Sequence, residues 1–180
     1  MEKDCEYVSI RGIAQNCDHF PKNIVSDTTL FNPNDYINIK ENETVFVITS
    51  VLKHFVRLIL PNINFKFKLV TGACVIGVPN EISITDSINY ISLFNNIQWY
   101  TQNFDGIYEC IPIPLGIDYH TLQRENHAWG SKASALSQET DIKNITKLSD
   151  NFENRKTRTL STFHFRLFER HNRDRYIAIQ

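Results

Sequence analysis

The chain has 180 residues, 42% of them hydrophobic, 12% aromatic and 22% charged, which suits one globular domain with a single core and excludes wholesale disorder. A formal net charge of −1 supplies no overall field to hold a polyanion or a membrane surface. The opening "MEKDCEYVSIRG" has no apolar h-region, no apolar run approaches the ~18–20 residues that span a bilayer, and Cys5, Cys17, Cys74 and Cys110 show neither CxxC nor zinc spacing, so the expectation is a cytoplasmic protein with thiols in a reducing compartment and no membrane partner.

Residues 1–44 are rich in Asn, Asp, Pro and Ser, with turn signals at "NPND" and "KENE", and read as an irregular wrap of loops and short pieces around a domain spanning 44–180. "TVFVITSV", 44–51, is β-branched and apolar on both faces and is expected to be the first central strand of a parallel sheet. Val51, Leu52, Phe55, Leu58 and Ile59 then recur at helical spacing, with Pro61 closing the run. "FKFKLVTG" reads as a second strand ending at Gly72, where the backbone must turn, which makes a right-handed βαβ unit.

"ACVIGVPNEISITDSINYISLFNN" holds a loop and a helix opened by Thr85 or Asp86 as N-cap. "IQWY" reads as a short strand, "TQNFDG" as a loop and "YECIPIPLG" as another strand, and a helix is expected over 134–148. "RTLSTFHFRLF" supplies a last strand over 159–165, and "RHNRDRYIAIQ" the start of a helix. The fold class that results is α/β, an open and mostly parallel Rossmann-like sheet with helices on both faces.

Candidate chemistry gathers at three places. In "CIPIPLGIDYHTL" a polar triplet follows a strand end, where open α/β sheets hold ligands. Asp118 there has the chemistry of a base, His120 that of an acid–base or phosphate donor, and Gly116 lets backbone approach a ligand. The alternative is a glycine turn in which Asp118 caps the next segment and Tyr119 plugs the core. "WYTQN" sets Trp99 beside Gln102 and Asn103, rings and amides suited to a sugar's apolar face and hydroxyl edges, although aromatics near a strand end equally suit a core.

The third place is the C-terminal stretch 151–180, where seven basic side chains stand against three acidic ones. His164, Arg166, Arg170, Arg173 and Arg175 form either a cationic rim for phosphate or acceptor, or a solvated face with Asp174 offsetting its neighbours. Stacking on nucleic acid is a weaker reading of that tail. "TGACVIGVP" lacks GxGxxG and GxxxxGK[ST] spacing, and HExxH, GxSxG and clustered DxD are missing, so neither a resident cofactor nor a metal has a sequence foothold.

Taken in order, "SIRGIAQNCD", "FKLVTG" with its following "VP", "QWYTQN", "IPIPLGIDYHTL", "WGSKASALSQE", "STFHF" and "RHNRDRYIAIQ" resemble the exostosin-like glycosyltransferases of large DNA viruses and protists. The resemblance covers nearly the whole chain, from about Val8 to Gln180, and its most specific elements are the Pro-Ile-Pro-Leu-Gly-Ile-Asp-Tyr-His run and the Asn, His, Trp and Gly segment that begins at Asn126. It implies sugar transfer from a nucleotide sugar, with Asp118 and His120 as catalytic candidates and Trp99, Gln102, Asn103, Gly116, Tyr119, Arg173 and Arg175 as substrate-binding candidates. Family members carry acidic residues after the glycine of "VTG", where this chain has Ala73, Cys74, Val75 and Ile76.

Family members also look longer, so the resemblance implies an N-terminal, acceptor-side half that ends before the half holding the nucleotide-sugar donor. The implied partners are a donor domain and a carbohydrate acceptor. The competing expectation is a non-catalytic binding or remnant domain that keeps the fold.

Overall fold

The structure is a computed structural model that describes residues 2–24, 31–94, 97–106, 110–124, 130–149 and 151–154. Two compact units divide the chain, Met1–Lys143 and Asn144–Gln180. The first is built on a four-stranded, all-parallel sheet in the order β1-β2-β3-β4, with β1 Thr44–Ile48, β2 Lys68–Gly72, β3 Gln98–Thr101 and β4 Cys110–Pro112. Helices α1 (Ile10–Gln15), α2 (Leu52–Leu58), α3 (Asn80–Asp86), α4 (Tyr90–Leu93) and α5 (Ala135–Leu148) flank it, in an open Rossmann-like α/β arrangement. The described part of the second unit is the end of α5 and a single 3-10 turn, Phe152–Asn154.

β1 is apolar on both faces because both are covered: Val45, Phe46 and Val47 are wholly buried. It lies at one end of the strand order, however, and not at the centre as the apolar run suggests. The residue that makes this tolerable is His19, whose N–H donates to the Thr44 carbonyl at 3.1 Å and whose carbonyl accepts from Phe46 at 2.8 Å. Burial of a strand therefore reports its covering, which here includes a single bridging residue, and not its rank in the sheet.

Register puts Val45, Leu69, Trp99 and Cys110 on one face of the sheet and Phe46, Val70, Tyr100 and Ile111 on the other. On the first face Trp99 packs edge-on against Phe94, with ring centroids 5.0 Å apart, and against Tyr90 at 6.4 Å. Such pairs add about 0.5–1.5 kcal/mol each beyond the area they bury. In α2, Leu52 and Phe55 point to the core, whereas Leu58 is 52% exposed because the helix ends on it and the chain passes into the 3-10 turn Leu60–Asn62 around Pro61.

α3 begins at Asn80, so Thr85 and Asp86 close it instead of opening it. Its first N–H groups, those of Asn80 and Glu81, are accepted by the Asp105 carboxylate at 2.9 Å, a cap supplied from across the chain. Asn89 caps the short α4, accepting from Ser92 N–H at 3.1 Å. Ser134 caps α5 through Ser137 N–H at 3.1 Å, and that helix starts within one residue of its expected position.

Residues 2–24 belong to the same unit as the strands and hold more than loops. Ser9 accepts from Gly12 N–H at 2.9 Å to open α1, whose Ile10 and Ala14 are buried in the core. Glu2, 5% exposed, accepts from the Ser9 hydroxyl at 2.7 Å and from Gln123 Nε2 at 3.0 Å. The expected strand over 159–165, the helix after it and the residues Arg173 and Arg175 lie outside the described residues.

Candidate ligand cleft at the carboxyl ends of the strands

A cleft of about 380 Å³ opens beyond the carboxyl ends of β2, β3 and β4. The first turn of α1 contributes Ile10 and Arg11, and the loop after β2 contributes Ala73, Cys74 and Val75. Gln102, directly after β3, lies at its floor, and the chain after β4 supplies Leu115 to Asp118, His120 and Arg124. Side chains at this end of a parallel sheet are held by short connections on rigid strands, which is why such clefts bind ligands.

The floor is fixed from the core outward. Trp99 Nε1 donates to Thr71 Oγ1 at 2.9 Å, that hydroxyl donates to Thr101 Oγ1 at 2.8 Å, and Thr101 donates to the Gln102 carbonyl at 2.9 Å. Gln102, 2% exposed, then accepts from Ala73 N–H at 3.1 Å and donates from Nε2 to the carbonyls of Pro114 at 3.1 Å and Leu115 at 3.0 Å. One amide thus ties the loop after β2 to the segment after β4. Gly72, the last residue of β2, has no room for a side chain, since a Cβ there would stand 2.6 Å from Ile10 Cδ1 and 2.7 Å from Gln102 Oε1; the left-handed turn falls on Ala73, at φ 56°.

Gly116 has φ +74°, and a Cβ on it would meet the Val8 carbonyl oxygen at 2.4 Å. The backbone it admits is therefore the chain's own N-terminal segment: Gly116 bridges Ser9, and Ile117 N–H donates to Val8 O at 2.7 Å. This contact carries α1, and with it Arg11, up to the wall of the cleft.

That wall holds a carboxylate–imidazole pair. His120 Nδ1 lies 2.8 Å from Asp118 Oδ1, and Asp118 also accepts from the N–H of Thr121 at 3.0 Å and from its hydroxyl. An acceptor-only carboxylate at Nδ1 fixes the proton on that nitrogen and leaves Nε2 with a lone pair. Burial raises the Asp118 pKa, but the Thr121 bonds together with His120 and Arg11 outweigh it and hold the carboxyl below its ordinary value. Burial, aided by Arg11, pushes His120 below its ordinary value against the pull of Asp118, so the imidazole is neutral at pH 7.

Arg11 is half-buried, and its Nε is enclosed without a hydrogen-bond partner. Burial is the main influence lowering its pKa, with Glu2 and Asp118 acting in the opposite sense and Arg124 adding to the depression. Sequence reasoning missed Arg11, Arg124 and Cys74 as cleft residues. The signal for Arg11 was present in "SIRGIAQN", a Ser N-cap followed by apolar residues at helical spacing, but its place beside Asp118 depends on the long-range contact at Gly116.

The other candidates fall elsewhere. Trp99 is 2% exposed in the aromatic core and offers no face to a sugar. Tyr119 is wholly buried, donating to Glu139 Oε1 at 3.3 Å, so within the triplet only its two neighbours reach the cleft. Glu139 also accepts Tyr7 N–H at 2.9 Å, which seats α5 under the N-terminal turn. Asn103 is exposed at φ 50° and donates to the Cys74 carbonyl, bracing the rim. Among the described residues no group of three or more His, Cys, Asp or Glu side chains is placed to hold a metal, and no helix is long and apolar enough to cross a membrane.

What fold and cleft define is an α/β domain with a polar pair at the strand carboxyl ends. Comparisons of the chain with protein-family models, with curated proteins and with solved structures find no match.

Proposed function

We propose that this domain is a glycosyltransferase-like acceptor half, whose cleft binds a carbohydrate hydroxyl and whose His120 accepts the proton from it. The observation that carries the reading is the Asp118–His120 contact of 2.8 Å on the wall of a cleft at the carboxyl ends of parallel strands. Asp118 orients the ring and His120 Nε2 serves as general base, a division of labour that follows from the proton fixed on Nδ1. The hydroxyl oxygen so activated attacks the anomeric carbon of a nucleotide sugar, and the bond to the diphosphate breaks. The donor is held by a partner domain, since bringing base, hydroxyl and donor into one cleft requires an opposing wall.

Glucose and galactose added to the isotopically labelled chain are expected to shift the His120 ring signals and the amides of residues 116–118, and His120→Gln to abolish binding without unfolding. Absence of any shift at these residues, for a range of mono- and disaccharides, would rule the reading out. A second reading, a binding module without catalysis, is favoured by the two bonds Thr121 gives to Asp118, which brace a turn. Under it Asp118→Asn changes stability and never a rate of sugar transfer measured with donor half and nucleotide sugar present.

A further inference from the structure

We infer that the cleft takes an anionic ligand, with a carboxylate or phosphate group seated against the guanidinium of Arg11 and in reach of Arg124. The inference deepens the reading of this cleft as a carbohydrate site, on which the choice of an acidic sugar rests although the choice of an anion does not.

Three observations carry it. The first is the balance of charge around the cleft: among the described residues, two guanidinium groups, Arg11 and Arg124, share it with a single carboxylate, Asp118. Asp118 is already engaged by Thr121 N–H, the Thr121 hydroxyl and His120, so its acceptor capacity is largely used. Glu2, a second acid among the described residues whose field reaches Arg11, is likewise engaged by Ser9 and Gln123.

The second is the enclosed Nε of Arg11, which has no partner. A guanidinium whose Nε is shut from water and unpaired is poorly solvated, and an oxyanion held at its terminal nitrogens offsets that cost. Arg11 is fixed in place by the buried helix that bears it, with Ile10 on one side and Gly12 packed against Ser9 on the other.

The third is the rest of the lining. Ile10 and Ile24 are buried and apolar, and Leu115 and Ile117 add apolar surface to the lining. Apolar walls with a few convergent polar groups, in a space of about 380 Å³, match a ligand of monosaccharide-phosphate size. A neutral His120, its proton on Nδ1 against Asp118, adds no charge beside the guanidinium pair, and its Nε2 lone pair suits a hydroxyl of the ligand and not its anionic group.

Calorimetric titration of the full chain with inorganic phosphate, glucose 6-phosphate, galacturonate and glucose, at matched ionic strength, tests the inference. The expected result is binding of at least one anion more tightly than glucose, with Arg11→Gln weakening it on the order of tenfold or more, the scale of one lost charge-assisted hydrogen bond. Arg124→Gln, at an exposed turn position where folding is not at stake, is expected to weaken it by a smaller factor. Phosphate against galacturonate tells which oxyanion is preferred. Anions that bind no better than sodium chloride, or a parent and both variants that bind alike, overturn the inference. Equal binding of glucose and its 6-phosphate overturns the anion and leaves the carbohydrate reading intact; binding of inorganic phosphate with no sugar bound does the reverse.

Discussion

The floor and the wall of the cleft stand at the same end of one sheet and treat polar groups in opposite ways. On the floor, the indole of Trp99, the hydroxyls of Thr71 and Thr101 and the amide of Gln102 each find a partner, and the series ends in backbone. On the wall, a guanidinium nitrogen is enclosed with none, and among the described residues an imidazole is engaged through Nδ1 alone. Satisfied groups hold a shape, and groups left over are available to a ligand. Both regions contain the residue types expected of a sugar site, so residue type alone does not separate them.

Three substitutions break or sharpen that contrast. The largest effect is expected from Gly116→Ala, which drives a Cβ to 2.4 Å from a backbone oxygen at positive φ, where neither partner yields cheaply. A loss of about 2–4 kcal/mol in urea unfolding is expected, together with loss of any ligand response, because Arg11 reaches the wall through this contact. A Gly116→Ala chain as stable as the parent would mean that the approach of the N-terminal segment is not what holds the wall.

Gln102→Leu keeps bulk at the floor and removes the partners of Ala73 N–H and of the Pro114 and Leu115 carbonyls. Unmade bonds of this kind cost about 1–3 kcal/mol, again read by urea unfolding, and a neutral result would show the floor to be looser than its hydrogen bonds indicate. The smallest effect belongs to the wall. His120 titrates below its unfolded value of about 6.5, so as pH falls the unfolded chain takes up the proton first. The stability this group contributes is therefore present above about pH 6.5 and is lost as pH falls through the folded value. Arg11→Gln removes one of the influences that depress His120, so the ring's midpoint in an NMR titration should move up and the acid-side loss of stability should shrink. A midpoint that moves down would place Arg11 elsewhere.

β1 and β2 were legible because they are short runs of β-branched and apolar residues buried on two faces, and Thr44–Ile48 and Lys68–Gly72 stand where such runs predict them. Helix α5 was legible because Ser134 caps it locally. The start of α3 was not, since the carboxylate that receives its first N–H groups belongs to Asp105, and local sequence offered Thr85 and Asp86 as better caps. In the cleft, Asp118 and His120 were legible from their place after a strand. Tyr119 between them and Trp99 nearby looked equally suited and are buried, because alternation along an extended segment and the depth of the aromatic cluster are decided by packing. Arg11 was invisible for a related reason: more than a hundred positions of chain separate it from the carboxylate it faces.

The bridge made by His19 has a bearing on how this protein behaves at high concentration. A sheet ending in a bare, flat strand invites the same strand of another molecule to pair with it. Here the outer side of β1 is already occupied at Thr44 and Phe46, and at the other end of the order β4 runs into Pro112 and Pro114, which have no N–H to donate. A newcomer therefore meets a used backbone on one side and missing donors on the other, and the sheet is ill suited to seed its own aggregation.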